Sequence, residues 1–385
     1  MHELLKIILL SLMFLTIYTY LVYPASIFFL SRVFNQEKLK KENGVSEAIK
    51  VTMIVAAHNE EKVIEEKIGN ISELDYQKEN ISIVIASDGS NDRTNEIVAR
   101  YQSETLKLIK YPRIGKANVL NRTIPLAPGD IVVFSDANTM YNSQAITRLV
   151  EHFRDADVGC VCGRLELINP KNVQSGEGVG FYWRYETWIK EAESRFGCVA
   201  GANGGIYAIR KKLFEEIPAG VINDDFHISM KIMEKGHKVI YERGAVGIEE
   251  VAPDFKSEFS RNVRDGAGHY REIRHLSGLL SPARGMKSFA YISHRLIRWM
   301  VPFFLPLIFV TNIFLVNEQA YLVFFVVQIC IYVIAVLTFI LQKYSIETRF
   351  LKIPLFFLAT NLALMIGFWK NVFGTQDVTW NSTKR

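Results

Sequence analysis

Cysteine is scarce in this 385-residue chain, and the cysteines do not have the spacing of a structural zinc site. Of the four cysteines, Cys160 and Cys162 are separated by one residue, Cys198 is distant and Cys330 lies in an apolar run. Structural zinc sites pair cysteines that are separated by about two to four residues. The sequence therefore predicts reduced, structural thiols rather than a zinc site.

The chain also lacks the glycine motifs of two common nucleotide-binding folds. It contains neither G-x-G-x-x-G nor G-x-x-x-x-G-K-[ST], the motifs that bring phosphates to backbone amides in Rossmann dehydrogenases and P-loop NTPases. Both classes are therefore disfavoured. DNA- and RNA-binding motifs are missing too, and the net charge of +5 collects largely beside apolar runs. That distribution favours anionic lipid headgroups over nucleic acid as the partner of the basic residues.

Charged residues are absent from four long apolar runs, which cover 7–31, 300–316, 320–341 and 353–369. About 20 predominantly apolar residues suffice to span a bilayer, so each run predicts a membrane helix. The first run is too long for a signal peptide and has no small-residue cleavage site, which favours a retained helix. Four parts follow from this pattern: a membrane helix at 1–34, a soluble domain at 35–275, an interfacial amphipathic segment at 276–299, and about three membrane helices with a tail at 300–385.

The basic residues beside these runs predict the topology. By the positive-inside rule, both ends of the soluble domain lie in the cytoplasm, because each is flanked by basic side chains: Arg32, Lys38, Lys40 and Lys41 at one end, Lys287, Arg295 and Arg298 at the other. We therefore expect a multi-pass protein of the cytoplasmic membrane with a cytosolic domain. The last run would place the C-terminus outside, although Lys370, Lys384 and Arg385 leave a re-entrant segment open.

The first half of the soluble domain alternates apolar β-type runs with helical patterns. Runs at 51–57, 81–87 and 131–135 each end in a polar loop, with a weaker strand at 106–110. Continuous Val/Ile runs are typical of parallel strands that are covered on both faces, and ligands bind outside the carboxyl ends of such strands. The pattern predicts a doubly wound parallel sheet, and Asn59 is a candidate cap for the helix after the first strand.

Side chains in three of these loops suit a phosphate-bearing ligand. Asp136 and Asn138 are alternate residues, so both oxygens can reach one hard cation, although for this stretch alone a simple strand-end turn is the preferred explanation. Asp88 could hydrogen-bond a base or ribose. Lys116 could pair with a phosphate or be solvated.

The second half of the domain holds two further candidate regions. The segment 181–194 has the spacing of a packed amphipathic helix, whereas 197–209 is rich in glycine, as expected of a loop that approaches a ligand. Asp224 and Asp225 precede a predicted helix at 227–235. Adjacent carboxylates at a helix start serve either as caps or, alternatively, one of them as a general base.

Taken in order, these loops resemble the family 2 glycosyltransferases with a GT-A fold, especially membrane-integrated enzymes that build polysaccharides or glycolipids. The motifs that carry the resemblance are VAAHNEE at 55–61, SDGSNDRT at 87–94, GKANVLN at 115–121, FSDANT at 134–139, GANGGIYAIR at 201–210, NDDF at 223–226 and RNVRDGAG at 261–268. The resemblance implies an α/β GT-A domain, Rossmann-like with a mostly parallel sheet, joined to transmembrane helices.

The resemblance also implies roles for particular residues. Asp225, beside Asp224, would be the base that deprotonates the acceptor hydroxyl with inversion at the sugar. Asp136 and Asn138 would hold a divalent cation, Mg²⁺ or Mn²⁺, with Asn138 replacing the second acid of the family's D-x-D motif. The donor nucleotide and diphosphate would contact Ala57, Asn59, Glu60, Asp88, Lys116, Asp136, Arg261 and Arg264, and the acceptor would contact Asn203, Gly204, Gly205 and Tyr207.

One motif departs from the family pattern. Processive members carry Q-x-x-R-W, whereas the matching positions here are Arg261, Arg264 and Asp265, which disfavours processive synthesis. For the two arginines, an exposed basic face or ion pairs with Glu258 and Asp265 explain the sequence nearly as well as phosphate binding.

The sequence favours a membrane-bound transferase that uses a nucleotide-diphosphate sugar, preferably a UDP-sugar, and a glycan or lipid-linked acceptor. The basic and apolar residues of 285–300 predict a helix on the cytoplasmic leaflet, in contact with membrane lipids. The alternative is a non-catalytic subunit of a polysaccharide synthesis or export complex, which binds a nucleotide or a partner. A transporter is disfavoured because only Asn312, Gln328 and Asn361 are strongly polar within the membrane runs.

Overall fold

The structure is a computed structural model that describes residues 1–34, 49–169, 176–251, 254–344 and 351–376. Its strands are β1 Val51–Ala57, β2 Ile81–Asp88, β3 Leu106–Tyr111, β4 Ile131–Asp136, β5 Met140–Tyr141, β6 Val158–Ile168, β7 Tyr207–Arg210 and β8 Lys238–Glu250. Its helices are α1 His2–Ile17, α2 Tyr23–Val33, α3 Ile64–Ser72, α4 Thr94–Arg100, α5 Lys116–Thr123, α6 Ala145–Glu151, α7 Gly176–Ser194, α8 Asp224–Glu234, α9 Phe255–His275, α10 Met286–Ala290, α11 Ile297–Ile313, α12 Gln319–Lys343 and α13 Lys352–Val372.

The strands form one sheet in the order β3-β2-β1-β4-β7-β6-β8-β5. The half from β3 to β4 is parallel, as predicted, and its strand ends line up because Ala56 pairs with Asp136 and Ala57 with Ser87. The sheet then becomes mixed, since β7 runs antiparallel to both β4 and β6. The expected α/β fold with a mostly parallel sheet is confirmed, and the antiparallel pairing arises because the glycine-rich segment 197–209 ends in a strand that runs antiparallel to β4.

The parallel strands are buried on both faces, which explains their uninterrupted apolar sequences. All seven residues of β1 are buried. Alternate residues belong to different cores: Met53 and Val55 pack on one face of the sheet, whereas Ile54 packs on the other with Phe134. The polar loops therefore begin where this two-sided burial ends.

Four helical stretches are long and apolar enough to cross a membrane: His2–Val33, Met286–Ile313, Gln319–Gln342 and Lys352–Val372. Single π-helical turns, Tyr18–Val22 and Tyr291–Leu296, join α1 to α2 and α10 to α11. The second stretch therefore begins before residue 300, and the predicted interfacial segment is continuous with this candidate span. His294 and Arg298 lie buried against protein in this stretch, which corrects the expectation that its basic side chains face lipid headgroups.

Close packing attaches α13, the last of these apolar helices, to α9. A methyl group added at Gly367 would lie 2.5 Å from the carbonyl oxygen of Val263. The two helices can approach so closely because Gly266 of α9 has no side chain where it faces Leu364. α9, which carries Arg261 and Arg264, is thereby held against an apolar helix.

Candidate functional site

A cavity of about 430 Å³ lies beside the carboxyl end of β4 and the amino ends of α5 and α8. Most of the residues that sequence analysis singled out line it: Glu60, Lys116, Asp136, Asn138, Asn203, Gly204, Gly205, Asp224, Asp225, Arg261 and Arg264. Four others, Ala57, Asn59, Asp88 and Tyr207, are outside the lining. The fold thus brings together residues that are far apart in the chain.

Lys116 connects two of the acidic loops. Its Nζ lies 2.9 Å from Oδ1 of Asp136 and 3.6 Å from Oδ2 of Asp224. Gly115 precedes it with a φ of 86°, a backbone conformation that suits glycine and directs the chain into α5. Burial alone would disfavour the ammonium charge, but the carboxylates of Asp136 and Asp224 raise the pKa of Lys116. The site therefore holds a fixed cation between two carboxylates.

Asp225 has the properties of a base that works near neutral pH. Burial is the main cause that raises its pKa to about 7, and the neighbouring charge of Asp224 adds to it. Burial also raises the pKa of Asp224, although Lys116 opposes the change. A methyl group at Gly204 would lie 3.0 Å from Oδ2 of Asp225, so glycine keeps the space beside this carboxylate open. Both acids lie in the first turn of α8, which begins at Asp224 rather than at the predicted residue 227.

Asp136 at the end of β4 and Asn138 after it fit a cation site whose remaining ligands would come from the substrate. Asp136 has a side chain that is 26% exposed and lines the cavity with Asn138. Nδ2 of Asn138 is buried and makes no hydrogen bond with the described residues, and because this nitrogen is a donor, only the Oδ1 atom of the amide could bind a cation. Across the described part of the chain, no group of three or more His, Cys, Asp or Glu residues could hold a metal. A hard cation would therefore take ligands from Asp136 and Asn138 and the rest from phosphate and water.

Lys67 supports this turn from behind and was missed by the sequence analysis. It is fully buried on α3, donates a hydrogen bond to the carbonyl oxygen of Thr139, and lies 4.4 Å from the ring centroid of Tyr141. Burial lowers the pKa of Lys67 to about 7. Its position between Ile64 and Ile71 on the apolar face of the helix is the signal that could have identified it.

Asp88 and Asn59 shape loops rather than the cavity wall. The carboxylate of Asp88 accepts hydrogen bonds from the amides of Ile114, at 2.7 Å, and Gly115, at 3.0 Å, and pairs with Arg113. It thereby positions the start of α5. The prediction that Asn59 caps a helix is wrong: its φ is 55°, and its Oδ1 accepts from the Asn91 amide at 2.9 Å, whereas Val63 is the N-cap of α3.

The proposed acceptor residues differ in their surroundings. Asn203 is buried, accepts a hydrogen bond from Lys190 and donates to the carbonyl oxygen of Gly163 at 2.9 Å. These bonds hold the turn that presents Gly204. Tyr207 is a core residue whose ring stacks on Phe134 with a centroid distance of 4.4 Å. Burial places the pKa of the Tyr207 hydroxyl well above its ordinary value, and the side chain lies outside the cavity lining.

The two arginines of α9 line the cavity and also make ion pairs. Arg261 lies 3.0 Å from Glu258, and Arg264 lies 3.5 Å from Asp265. Nε of Arg264 is buried without a hydrogen-bond partner among the described residues. The two arginines therefore make the ion pairs that the sequence suggested and also line the cavity.

Comparison with known proteins agrees with this arrangement. Residues 52–218 match the profile of the family described as Glycosyl transferase family 2. The poly-beta-1,6-N-acetyl-D-glucosamine synthase of Staphylococcus aureus (strain COL) is 27% identical over 209 residues, 53% of this chain and 50% of that protein. The probable glycosyltransferase YdaM of Bacillus subtilis (strain 168) is 24% identical over 249 residues, 60% of this chain and 57% of that protein. The chain thus spans about half the length of the curated relatives it matches.

A solved structure shares the fold over nearly the whole chain. It is the mannosyltransferase PcManGT from Pyrobaculum calidifontis in complex with GDP-Man and Mn²⁺, with a TM-score of 0.68 and 20% identity. The match covers 96% of this chain and 99% of that one. Together with the motifs and the mixed sheet, these findings show that residues 52–218 form a family 2 glycosyltransferase domain and that the described chain has a GT-A fold.

Proposed function

We propose that this protein is a membrane-bound inverting glycosyltransferase that moves a sugar from a nucleotide-diphosphate sugar to a hydroxyl group of a glycan or lipid-linked acceptor. The observation that carries the proposal is Asp225, a carboxylate with a pKa of about 7 that opens onto a cavity beside the paired Lys116 and Asp136. The names of the relatives support it: one makes poly-beta-1,6-N-acetyl-D-glucosamine, and the solved mannosyltransferase holds GDP-Man. A UDP-sugar is the favoured donor.

The chemistry of the transfer assigns a proton acceptor to Asp225. The acceptor hydroxyl attacks the anomeric carbon from the side opposite the diphosphate, so a new C–O bond forms as the bond to the diphosphate oxygen breaks. The hydroxyl proton passes to the Asp225 carboxylate. Because its pKa is raised, this carboxylate is basic enough to accept the proton at neutral pH yet remains largely ionised above pH 7.

Negative charge develops on the departing diphosphate, and cationic groups in the cavity stabilise it. Lys116 is placed for this role because its ammonium already lies between Asp136 and Asp224. A divalent cation, Mg²⁺ or Mn²⁺, held by Asp136 and Asn138 would supply further charge neutralisation. Arg264, with its unpartnered Nε, is a second candidate for contact with the diphosphate.

The proposed location is the cytoplasmic membrane, with the transferase domain on the cytosolic side. It rests on the four long apolar helices and on the basic residues near their ends. α9 packs directly on α13, so the catalytic cavity lies beside the helix bundle. An acceptor held in the membrane would therefore have a short path to Asp225.

The purified protein with Asp225→Asn tests the proposal. Donors are first screened as UDP-, GDP- and dTDP-sugars with Mg²⁺ or Mn²⁺. The variant should lose about 10²-fold or more of the transfer rate while it retains donor binding, because it loses only the base. Asp157→Asn is the matched control, since the Asp157 side chain is 76% exposed and outside the cavity lining. Normal transfer by Asp225→Asn refutes the mechanism, and failure of the unsubstituted chain to turn over any donor favours a non-catalytic subunit.

A further inference from the structure

The cavity continues past Asp225 and ends among the membrane helices. At that end its lining comes from three of the four candidate spans: Tyr20 from His2–Val33, Arg295 and Arg298 from Met286–Ile313, and Phe356 with Thr360 from Lys352–Val372. One connected space therefore joins the base of the transfer reaction to side chains of the bundle.

An aromatic wall lines the cavity beside Asp225. Phe226 follows Asp225 directly, and its ring lies 5.5 Å from Trp299 and 6.1 Å from His269, which itself stacks on Trp299 at 4.7 Å. Burial lowers the pKa of His269 to about 4, so this wall is uncharged at neutral pH. Arg295 approaches the same wall, since a methyl group at Gly201 would lie 2.6 Å from the Phe226 ring and 3.8 Å from the Arg295 guanidinium. The aromatic wall thus lies next to Asp225 and close to Arg295.

Arg298 presents an unused hydrogen-bonding edge at the membrane end. The residue is only 5% exposed, and its Nη1 bonds to Glu186, whereas Nε and Nη2 make no hydrogen bond of normal geometry with any described residue. The rings of Tyr20 and Tyr185, at 5.1 and 5.7 Å, hold the guanidinium plane. Buried donors without a partner are costly, and the Nε and Nη2 edge matches two oxygens of a phosphate or carboxylate.

The charged groups around Arg298 are shared between partners. Glu186 pairs with Arg298 and, at 3.3 Å, with Arg295, so two guanidinium groups share one carboxylate. The same carboxylate lies 3.3 Å from Nε2 of His294, whose Nδ1 lies 2.7 Å from the buried carboxylate of Glu193. Because Glu186 is divided among three cationic or titratable partners, it does not fill the Nε and Nη2 edge of Arg298, which an anionic ligand would complete.

We propose that the free edge of Arg298 binds the phosphoryl group of a lipid acceptor, a proposal that rests on the transfer function because the acceptor hydroxyl must reach Asp225. The lipid chain lies among Tyr20, Phe356 and Thr360. The hydroxyl to be glycosylated extends past the aromatic wall formed by Phe226, His269 and Trp299. Arg298 thereby selects anionic over neutral lipid acceptors.

Binding of short-chain lipids to the full-length protein in neutral detergent tests this. The probes are dioctanoyl phosphatidic acid, dioctanoylglycerol as its uncharged counterpart, and inorganic phosphate, each titrated by calorimetry without donor. We expect phosphatidic acid to bind at least about tenfold more tightly than dioctanoylglycerol, because only the former offers oxygens to a charged donor pair. Arg298→Lys keeps the charge beside Glu186 but loses the paired edge, and it should weaken phosphatidic acid binding by about tenfold or more.

Control variants distinguish loss of the lipid site from a folding defect. Arg243→Lys, at a side chain that is 72% exposed and outside the cavity lining, should leave lipid binding unchanged. If Arg298→Lys does not fold, the paired Glu186→Gln and Arg298→Gln variant removes both charges together and should show the same loss. Equal binding of the two lipids, or normal binding by the folded variants, overturns the proposal. Inorganic phosphate binding as tight as that of phosphatidic acid overturns the lipid source.

Donor turnover is measured on the same samples. Arg298→Lys should bind the nucleotide sugar normally, since the contacts of Arg298 are with Glu186, Tyr20 and Tyr185 and not with Lys116 or Asp136. A protein that binds phosphatidic acid but turns over no donor retains the lipid site and refutes only the transferase function. A protein that turns over donor but does not distinguish the two lipids refutes only the lipid site.

Discussion

Replacing Asp224 with asparagine should move the pH range in which the protein is active. In the unsubstituted protein Asp225 has a pKa of about 7, and the charge of Asp224 is the second contributor to that value after burial. A general base must be ionised, so kcat/KM should fall about tenfold per pH unit below about pH 7 and level off above it. Removing the neighbouring charge makes ionisation of Asp225 easier and shifts this fall to lower pH.

The expected shift follows from the charge that is removed. Two unit charges roughly 6 Å apart at an effective dielectric constant of about 20 repel by about 3 kcal/mol, which corresponds to about 2 pKa units. Lys116 lies 3.6 Å from Asp224 and already offsets part of this repulsion. We therefore expect the midpoint to move down by about one to two units, with burial still holding the pKa above that of an ordinary aspartate.

The assay is donor turnover as kcat/KM between pH 5 and 9, since this ratio reports the free enzyme. Each profile is scaled to its own plateau, because Asp224→Asn also removes a partner of Lys116 and should lower the plateau itself. Asp157→Asn, an exposed change outside the cavity, should keep the midpoint near pH 7. A scaled Asp224→Asn profile that superimposes on the original would refute Asp225 as the titrating base.

Three further changes test other parts of the structure. Asn138→Asp should lower the Mn²⁺ concentration for half-maximal turnover by about tenfold, because an added carboxylate strengthens a hard-cation site; an unchanged requirement would show that position 138 does not coordinate. Gly367→Ala should destabilise the protein by about 1–3 kcal/mol in thermal unfolding, since its methyl group would lie 2.5 Å from the Val263 carbonyl oxygen. The control Gly69→Ala, with open space around the added methyl group, should be neutral or stabilising in the same measurement. Lys67→Met should flatten the pH dependence of the free energy of unfolding. Burial lowers the pKa of Lys67 in the folded protein to about 7, below its ordinary value of 10.5, so between these pH values the unfolded chain binds more protons than the folded one. The unsubstituted protein therefore gains stability as pH rises through that window, and the variant should not. Parallel unfolding curves for Lys67→Met and the original protein across pH 7–10 would contradict this account.

The sequence predicted the parallel half of the sheet well because burial leaves a direct pattern in it. β1 is buried along its whole length and contains only apolar residues and one threonine, so the sequence predicts both the bounds of the strand and the polar loop that follows it. The antiparallel β7 was hidden among the glycines of 197–209. Its direction depends on pairing with β4 and β6, and no local periodicity encodes a partner so distant in the chain.

By itself, the sequence determined which chemical groups the site contains. Carboxylates, an amide and a lysine follow apolar strands or begin helices, and such positions are exposed at the edge of a sheet whatever the rest of the fold does. This local rule correctly selected Asp136, Lys116 and Asp225 as residues of one cavity.

Tertiary structure alone decided how those groups are paired. The distances that join Lys116 to Asp136 and Asp224, and the burial that raises the pKa of Asp225, arise only when separate loops converge. The same holds for Arg298, which the sequence placed at the lipid headgroups and the fold buries against Glu186. Charge near an apolar run indicates a membrane boundary, but the rotation of the helix, set by packing, determines whether an arginine faces lipid or the interior of the protein.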